Sequence, residues 1–343
     1  MELYENPLMR ALYAFFGEEN KDYSYEQLKS GQINTSYLIR REKEPIAVLR
    51  RTTKPKRNIY FESAIIEKLI INGFPTPKQF RTIKGNTSFS DAKEKVSYQA
   101  FAYVRGKNLP EEPISDSHLT VIGRALGEMH SYLKLEEFPN EPIFNEFGRF
   151  RNILERLKSV PEIKGKILTR FETVAADYIE KSNGIVNQCN RTLTRIVKDI
   201  EKIFYQTPKQ PIHGDFTKEN IFFNQDLTSI VGIIDFDDAH IDPRIFDPVI
   251  ASVYFGINNE EFSIDKAEKI FNNYTKELPE QLTKEEVSAI PKLTEMYSLF
   301  AVLWTIYHFN QNSNEKNIKK VLKYSKILQS IEVLDKSKWR TIV

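Results

Sequence analysis

The stretch Pro211–Val249 reads PIHGDFTKENIFFNQDLTSIVGIIDFDDAHIDPRIFDPV and holds an ordered series of polar residues around two apolar runs. The runs are Ile221–Phe223 and residues 230–234, and the polar segment between them predicts a short antiparallel hairpin. Asn220 stands just before the first strand and Asp235 just after the second. Because the turn lies midway between these two residues, we expect the hairpin to bring their side chains together at its open end.

These residue types are suited to phosphoryl transfer. An amide oxygen beside a carboxylate is a pair of hard oxygen ligands for Mg²⁺, which takes its remaining ligands from water and phosphate. Asp215 lies in a loop five residues before Asn220, where a carboxylate can accept the proton of an attacking hydroxyl. The alternative is a set of ordinary polar residues around a core hairpin, but their order and spacing favour the catalytic interpretation.

The run His213-Gly214-Asp215, then Asn220, then Ile234-Asp235-Phe236-Asp237 resembles the catalytic core of the aminoglycoside phosphotransferase and choline kinase superfamily, which includes homoserine kinase type II-like proteins. The resemblance implies an α+β, two-lobed protein-kinase-like fold, with a small antiparallel-sheet N-terminal lobe and a larger, mostly helical C-terminal lobe. It also implies that Asp215 is the catalytic base and that Asn220 and Asp235 hold Mg²⁺.

Length and composition agree with a two-lobed enzyme. A chain of 343 residues is long enough for two domains, which we place at residues 1–105 for nucleotide binding and 106–343 for catalysis and substrate binding. The net charge of +2 implies no broad field for nucleic acid or membranes. The single cysteine, Cys189, fits a reducing compartment, and no apolar stretch is long enough for a signal peptide or a membrane span. We expect a cytoplasmic protein, with its oligomeric state open.

In the N-terminal part, residues 8–16 predict a helix, and a turn around Ser30-Gly31 leads into an alternating strand through Tyr37 and Ile39. A second strand begins at Ile46. A strand, turn and strand with a glycine can fold over nucleotide phosphates and offer backbone N–H donors. One glycine alone is a weak motif, so Ser30 and Gly31 are candidates on the strength of the resemblance.

The resemblance also implies a basic residue on the second strand that contacts the phosphates and a helix glutamate that pairs with it. Arg50 is the candidate on the strand and Arg51 the competitor, since alternation lets only one point inward. The helix is predicted over Ile59–Asn72, where Glu62 is the candidate and Glu67 the alternative. Without such roles these are solvated surface charges.

Two more strands are predicted at Phe80–Ile83 and Val96–Tyr103, around a polar turn at residues 84–95. The end of the second strand resembles the connector between the lobes of kinases, which exits at Gly106. Backbone groups from Phe101 to Tyr103 would there bind an adenine edge. The aromatic side chains alternatively belong to the core, which is their commoner fate.

The C-terminal part is predicted to be mostly helical. A helix with N-cap chemistry at Ser115-Asp116-Ser117 runs to about Leu133, and His130 on it is expected to be packed. A helical insertion covers residues 144–204. After the hairpin, Asp247 opens a helix and, by the resemblance, braces the catalytic loop. Further helices are predicted at residues 265–276, 283–290, 292–310 and 314–333.

Acidic and aromatic residues suggest where the acceptor binds. Asp237 and Asp238 follow Asp235 directly, and Trp304 and Tyr307 lie on a later helix that also carries Glu295 and Tyr297. Such groups hold a cationic or polyhydroxylated molecule through ion pairs, hydrogen bonds and ring stacking. Alternatively, the acids cap a turn and the aromatics belong to the core.

The sequence therefore predicts a small-molecule kinase that transfers the γ-phosphate of ATP, or of GTP, to a hydroxyl of an amino alcohol or amino-sugar-type acceptor. An aminoglycoside-type antibiotic phosphotransferase and a catalytically silent nucleotide-binding protein stay open as alternatives. A protein kinase is disfavoured because Gly214 stands where the HRD motif has arginine and no APE-like segment follows. GxxxxGK[ST], HExxH, CxxC and GxSxG motifs are absent.

Overall fold

The computed structural model describes residues 6–17, 23–28, 34–111, 113–138, 179–311, 315–334 and 339. Within these ranges the chain forms two compact units. The first contains the residues up to Asn108, residues 136–138 and Glu219–Ala239, and the second contains the rest. The first unit is built on an antiparallel sheet and the second is mostly helical, which confirms the predicted α+β architecture. The predicted boundary between residues 105 and 106 assigned the segment Glu219–Ala239 to the second domain, whereas in the structure this segment belongs to the first unit.

Six strands form the sheet of the first unit: β1 (Tyr23–Gln27), β2 (Thr35–Arg41), β3 (Glu44–Thr52), β4 (Gln79–Phe80), β5 (Phe89–Asp91) and β6 (Val96–Ala102). Their order is β1-β2-β3-β6-β4, and β5 also pairs with β6. The other strands form two-stranded ladders: β7 (Lys209–Ile212) with β10 (His240–Pro243), β8 (Ile221–Phe223) with β9 (Ile230–Ile233), and β11 (Ile257–Asn258) with β12 (Glu261–Phe262).

One face of the sheet is covered by helix α1 (Pro7–Phe16), which confirms the predicted leading helix. Asn6 caps it by accepting a hydrogen bond from Leu8 N–H at 2.9 Å, and Pro7 occupies a first-turn position where no N–H is needed. Apolar residues of α1, such as Leu12, form one buried cluster with alternate residues of the central strands, such as Ile39 and Leu49.

Several strands differ from the prediction. The strand predicted at Phe80–Ile83 ends at Phe80, because Thr82 N–H donates to Asn86 O and Ile83 N–H donates to Ala14 O, each at 2.8 Å, instead of continuing the ladder. The polar segment predicted as a turn contains strand β5. Strand β1 was not predicted, because four of its five residues are exposed and its sequence shows no apolar face.

The predicted helix of the first unit is α2 (Lys56–Ile71). It begins directly after Pro55 and ends at Asn72-Gly73, where Gly73 has φ of 75°, a conformation that glycine adopts without strain. Its buried face contains Ile59, Ile66 and Leu69. Glu62 lies on this same face and is buried, so the helix places a carboxylate under the sheet instead of in solvent.

The predicted hairpin between Asn220 and Asp235 is confirmed as strands β8 and β9, with Ile221 opposite Ile233. Two loops of the first unit bind it. Lys107 and Phe223 exchange both backbone hydrogen bonds, at 2.9 and 2.8 Å, while Pro75 O accepts from Ile233 N–H at 2.8 Å. Gly106 is required here, since a Cβ on it would lie 2.7 Å from Phe223 O.

The second unit contains six helices within the described residues: α3 (Asp116–Tyr132), α4 (Ile179–Gln206), α5 (Phe246–Phe255), α6 (Ile264–Glu277), α7 (Lys284–Gln311) and α8 (Glu315–Glu332). Helix α3 is capped by Ser115 as predicted. The predicted insertion is helical from Ile179 onward, and its earlier part, residues 144–178, lies outside the described residues.

The two helices predicted at residues 283–290 and 292–310 are one continuous helix, α7, with Pro291 inside it. A proline removes one hydrogen bond of the helix and usually ends it. Here Ile290 and Leu293, on either side of the proline, are almost fully buried. Burial of this face stabilises the helix by more than the lost bond costs, because packing supplies most helical stability in proteins. No helix of the described part is long and apolar enough to cross a membrane.

Helices α3 and α6 approach each other closely through two glycines. A Cβ on Gly123 would lie 2.4 Å from Ile270 O, and a Cβ on Gly127 would lie 2.3 Å from Tyr274 O. These contacts are with backbone atoms, which cannot rotate away. The spacing of four residues places both glycines on one face of α3, where they allow the backbone of α6 to approach.

We predict that Gly127→Ala destabilises the protein. Alanine favours a helix over glycine by about 0.5–1 kcal/mol, but overpacking against the backbone costs about 1–3 kcal/mol. The net result is a lower free energy of unfolding, measured by urea denaturation. Arg124→Ala, on the exposed face of the same helix, is the control and should change stability by only about 0.5 kcal/mol. A Gly127→Ala protein more stable than the parent would contradict this packing.

Candidate active site

Asn220 and Asp235 lie at the same open end of the hairpin, and the meeting of their side chains stays a prediction. Ile221 pairs with Ile233, and Asn220 O accepts a hydrogen bond from Ile234 N–H at 2.9 Å. Asp235 has left-handed backbone angles, φ 67° and ψ 55°, which few residues other than glycine and Asn or Asp adopt. This conformation ends strand β9 and starts the short 3₁₀ turn Phe236–Asp238.

A buried guanidinium lies next to Asp235. Arg50 is 5% exposed, donates to Asp235 Oδ1 at 2.8 Å, and forms an ion pair with Glu62. Gln99 joins the same group, since its Oε1 accepts from Arg50 at 3.0 Å and its Nε2 donates to Glu62 at 3.0 Å. The ring of Phe101 covers the guanidinium, 5.0 Å from its carbon. Arg50 therefore ties strand β3, helix α2, strand β6 and the hairpin together.

The two alternatives for this pair have other partners. Arg51 lies on the opposite face of β3, where its side chain hydrogen-bonds Tyr98. Glu67 is exposed on helix α2 and pairs with Arg81 at 3.0 Å. Of the candidates, Arg50 and Glu62 are thus the two that meet. Arg50 Nε and Glu62 Oε1 are buried and have no hydrogen-bond partner among the described residues.

The turn after Asp235 contains two more carboxylates, and a lysine contacts both. Lys54 Nζ lies 2.9 Å from Asp237 Oδ2 and 2.8 Å from Asp238 Oδ1, and it donates to Asp237 O at 2.5 Å. Asn34 Nδ2 donates to Asp237 Oδ2 at 2.6 Å. The prediction that Asp237 and Asp238 contact an acceptor stays a prediction, and in this structure both carboxylates pair with Lys54.

The charged side chains around Asp235 carry an excess of negative charge, which fits a divalent cation. Counted over the described residues, four carboxylates (Glu62, Asp235, Asp237 and Asp238) share two cations (Arg50 and Lys54), which leaves a formal charge of −2. Desolvation and then the neighbouring carboxylate of Asp237 raise the pKa of Asp235 to about 7, against the opposing effect of Arg50. A cation at Asp235 would relieve this repulsion.

The donor set narrows the kind of metal. No group of three His, Cys, Asp or Glu side chains arranged to hold a metal occurs in the described part of the chain. Mg²⁺ is usually held by one or two protein oxygens and takes its other ligands from phosphates and water. An amide oxygen and a carboxylate, as on Asn220 and Asp235, are ligands of this kind.

The connector after β6 holds the hairpin through a residue that sequence reasoning missed. Asn108 Nδ2 donates to Ile221 O at 2.9 Å and to Glu219 O at 3.2 Å, the carbonyls on either side of Asn220. No sequence motif marks this asparagine, because its partners are backbone atoms more than one hundred residues away. Its position just after Gly106 is the only signal that could have indicated it.

The predicted adenine-binding segment requires a correction. Ala102 N–H donates to Lys78 O at 2.8 Å, and Tyr103 N–H donates to Ile46 O at 3.0 Å. Both donors are therefore used by the fold and are not available to a base. Phe101 covers Arg50 with its ring instead. The next backbone N–H groups along the connector are those of Val104 and Arg105.

The second unit contains the loop with Asp215. His213 is fully buried, and its Nδ1 accepts a hydrogen bond from Asp215 N–H at 3.2 Å, which in the neutral ring leaves the proton on Nε2. Gly214 has φ of 76°, a conformation that the loop requires and that a glycine adopts without strain. Asp215 itself is half-buried.

Asp247 braces this loop. Its two oxygens accept hydrogen bonds from His213 N–H at 2.8 Å and from Gly214 N–H at 3.0 Å. His130 Nε2 lies 3.0 Å from Asp247 Oδ2, and His130 Nδ1 lies 2.9 Å from the hydroxyl of Tyr274. His130 is therefore a packed, hydrogen-bonded residue, as expected, and connects α3 and α6 to the catalytic loop.

The remaining candidates are placed as follows. Trp304 is half-buried on α7 and stacks on Phe300, with ring centroids 5.9 Å apart. Tyr307 belongs to the same helix, but its side chain lies outside the described residues. Ser30 and Gly31 also lie outside the described residues. Glu295 and Tyr297 are used by the fold, through Arg195 and through Gly214 O.

Comparison with known proteins identifies relatives of this chain. Residues 24–276 match the model of the phosphotransferase enzyme family, APH. Over 216 residues the chain is 26% identical to hydroxylysine kinase of Bos taurus, a match that covers 59% of this chain and 54% of the relative. The chain thus spans about half the length of the curated relative that it matches.

Solved structures share the fold at low identity. An amicoumacin kinase in complex with AMP-PNP, Ca²⁺ and Ami superposes with a TM-score of 0.66 at 13% identity, covering 98% of this chain and 96% of that one. A microcompartment-associated aminopropanol kinase superposes with a TM-score of 0.62 at 15% identity, covering 92% of each chain. At these identities the likeness establishes the fold, which is the predicted protein-kinase-like one.

We predict that Asp247→Asn destabilises the protein in a pH-dependent manner. Burial alone raises a carboxyl pKa, but hydrogen bonds and charge from His130 and His213 hold the pKa of Asp247 below its usual range. Such a carboxylate stabilises the fold fully above its unfolded pKa of about 3.9, and it loses that contribution as the pH falls from this value through its lower pKa in the folded protein.

The free energy of unfolding of Asp247→Asn should therefore be lower than that of the parent by about 2 kcal/mol at pH 7. This difference should shrink below about pH 4. Urea denaturation across the pH range measures it, with the exposed Asp226→Asn as control. A difference that stays constant from pH 7 into the acid range would contradict the assignment.

Proposed function

This chain belongs to the APH phosphotransferase enzyme family, and we propose that it is a small-molecule kinase that transfers the γ-phosphate of ATP or GTP to an alcohol group. One observation carries the proposal: Asp235, at the same end of the hairpin as Asn220, lies beside the buried Arg50–Glu62 pair. A metal-binding pair next to a fixed guanidinium is what phosphoryl transfer needs, because its transition state is stabilised by positioning and charge.

Arg50 is proposed to contact the nucleotide phosphates. Its guanidinium is permanently charged, and Glu62 and Gln99 hold its plane. Arg50 also bonds Asp235, so its guanidinium lies at the end of the hairpin where the metal-bound phosphates are proposed to sit. The pairing with Glu62 thus positions the group before a nucleotide binds.

Asn220 and Asp235 are proposed to hold Mg²⁺. When bound, the ion neutralises charge that develops between the β- and γ-phosphates. The excess of acidic over basic groups around Asp235 and the raised pKa of this carboxyl support a cation there. Asn108 and the hairpin ladder keep the backbone on both sides of Asn220 in place.

Asp215 is proposed as the general base that accepts the proton of the acceptor hydroxyl. Support comes from its place in His-Gly-Asp, five residues before Asn220, and from the brace that Asp247 gives to the same loop. For the adenine edge we propose Val104 N–H, the first backbone donor after Tyr103. Ser30 and Gly31 are proposed to cover the phosphates on the strength of the resemblance alone.

The acceptor is proposed to be a small amino alcohol. The relatives include kinases named for hydroxylysine and aminopropanol, which both carry an amine and a hydroxyl. Trp304 and Tyr307 are the proposed aromatic contacts of the acceptor, with Asp237 and Asp238 as the proposed acidic ones. An amino sugar or an aminoglycoside is the second acceptor class to test, because aminoglycoside phosphotransferases are also among the structural neighbours.

We predict that a coupled ADP- or GDP-release screen over amino alcohols, amino sugars and aminoglycosides finds a small amine-bearing alcohol that stimulates turnover. Asp215→Asn should bind nucleotide like the parent but lower turnover by about 10²- to 10⁴-fold, the effect of losing a general base. If no acceptor in the screen stimulates turnover, the proposed activity is wrong. Near-parent turnover in Asp215→Asn would reject this residue as the base.

We also predict a graded effect on metal-dependent nucleotide binding. Asp235→Ala should abolish the gain in ADP affinity that Mg²⁺ gives, while Asn220→Ala should only weaken it, because a carboxylate supplies charge that an amide lacks. Calorimetric titration with Mg²⁺ and with EDTA measures both. Asp226→Ala, an exposed carboxylate in the turn of the same hairpin, is the control. Equal ADP affinity of the parent with Mg²⁺ and with EDTA would rule out a metal-bridged site.

A further inference from the structure

Lys54 is a charged residue that no family motif marks, and it lies in the short joint between β3 and α2. Its backbone N–H donates to Thr52 Oγ1 at 3.1 Å, which bends the chain toward the helix. Its side chain is largely buried, being 20% exposed. Burial alone lowers the pKa of a lysine, yet the carboxylates of Asp238 and Asp237 raise the pKa of Lys54 above its usual value, so it is charged.

The ammonium group makes three contacts with a single turn. It reaches Asp237 O at 2.5 Å, Asp237 Oδ2 at 2.9 Å and Asp238 Oδ1 at 2.8 Å. An ammonium has three N–H donors, so this turn uses all of them. Asn34, at the start of β2, donates to Asp237 Oδ2 from the other side at 2.6 Å. The turn is therefore held from two segments of the sheet.

This turn is the segment that directly follows Asp235. Asp235 is in a left-handed conformation, in which non-glycine residues persist only when their surroundings hold them. Strand β9 holds Asp235 on one side through Ile234 N–H and Asn220 O. On the other side, Lys54 contacts both Asp237 and Asp238 from the joint that precedes α2, and Asn34 contacts Asp237.

We propose that Lys54 is a positioning residue, which holds the turn at residues 236–238 so that the carboxylate of Asp235 is oriented for the metal. The proposal rests on the proposed function, since it assumes that Asp235 is a metal ligand. In this proposal Asp237 and Asp238 bind Lys54, and Lys54 thereby acts on Asp235 through the backbone of the turn. Outer residues that orient metal ligands typically change metal affinity by about 10- to 100-fold when they are lost.

Two possible roles of Lys54 predict opposite changes in the affinity for a divalent cation when the lysine is removed. If Lys54 only balances charge, removing it leaves four carboxylates facing Arg50 alone, and a divalent cation binds more tightly. If Lys54 positions Asp235, removing it weakens the binding of the cation in spite of the greater negative charge. The direction of the change in metal affinity therefore separates the two roles, which a measurement of stability alone does not.

The experiment measures Mn²⁺ binding to the full chain in the presence of ADP, by electron paramagnetic resonance of free Mn²⁺. The variants are Lys54→Met, Lys54→Arg, and Lys68→Met as matched control, because Lys68 lies on α2 in the same unit and pairs only at the surface with Glu137. We expect Lys54→Met to weaken Mn²⁺ binding by about 10- to 100-fold. We expect Lys54→Arg to restore most of it and Lys68→Met to match the parent.

Should Lys54→Met not fold, Lys54→Gln replaces it as a neutral variant that keeps hydrogen-bond donors, with an expected loss of about tenfold. Equal or tighter Mn²⁺ binding in a folded neutral variant, alongside Mn²⁺ binding by the parent, overturns the role of Lys54 and leaves the proposed function standing. If the parent with ADP binds no Mn²⁺, the metal assignment in the proposed function fails, and the role of Lys54 fails with it.

Discussion

The first unit depends on one buried interaction, the guanidinium of Arg50 held between Glu62 and Asp235. Removing a charge from water costs several kcal/mol, so it is tolerated only with well-placed partners. The partners of Arg50 come from three different elements, namely helix α2, strand β6 and the hairpin. These elements must all be in register for the charge to be satisfied, and this requirement links the sheet to the proposed metal site.

The same interaction sets the charge of the site. Arg50 and Lys54 together leave the surrounding carboxylates with two uncompensated negative charges in the described residues. Arg50 holds the side chain of Asp235, and Asn108 holds the backbone on either side of Asn220. The proposed metal-binding pair thus consists of residues that contacts within the protein itself hold in place.

Sequence patterns predicted the parts of the site that depend on local structure. The hairpin and the ends at which Asn220 and Asp235 lie followed from two apolar runs and a polar turn. The choice of Arg50 and Glu62 came from the family resemblance, with strand alternation allowing only one of Arg50 and Arg51 to point inward, and the structure brings Arg50 and Glu62 together. The hairpin signal is local in the chain, so one sequence suffices to read it.

What could not be predicted depends on contacts between distant segments. Asn108 and Lys54 bind backbone and side-chain atoms more than one hundred residues away, and nothing near them in the sequence marks those partners. Pro291 suggested a break that the packing of α7 overrides. The sequence could not show that the backbone N–H groups of Ala102 and Tyr103 are already bonded, because their acceptors, Lys78 O and Ile46 O, belong to distant segments of the chain.

The most direct test of a metal ion held by Asn220 and Asp235 beside Arg50 is a crystal structure with AMP-PNP and Mn²⁺, in which anomalous scattering locates the ion. The account predicts a peak at coordination distance, about 2.0–2.2 Å, from an oxygen of Asp235 and from the amide oxygen of Asn220. It also predicts that Arg50 remains paired with Glu62. A peak without contact to Asp235, or an Arg50 that has left Glu62, would contradict it.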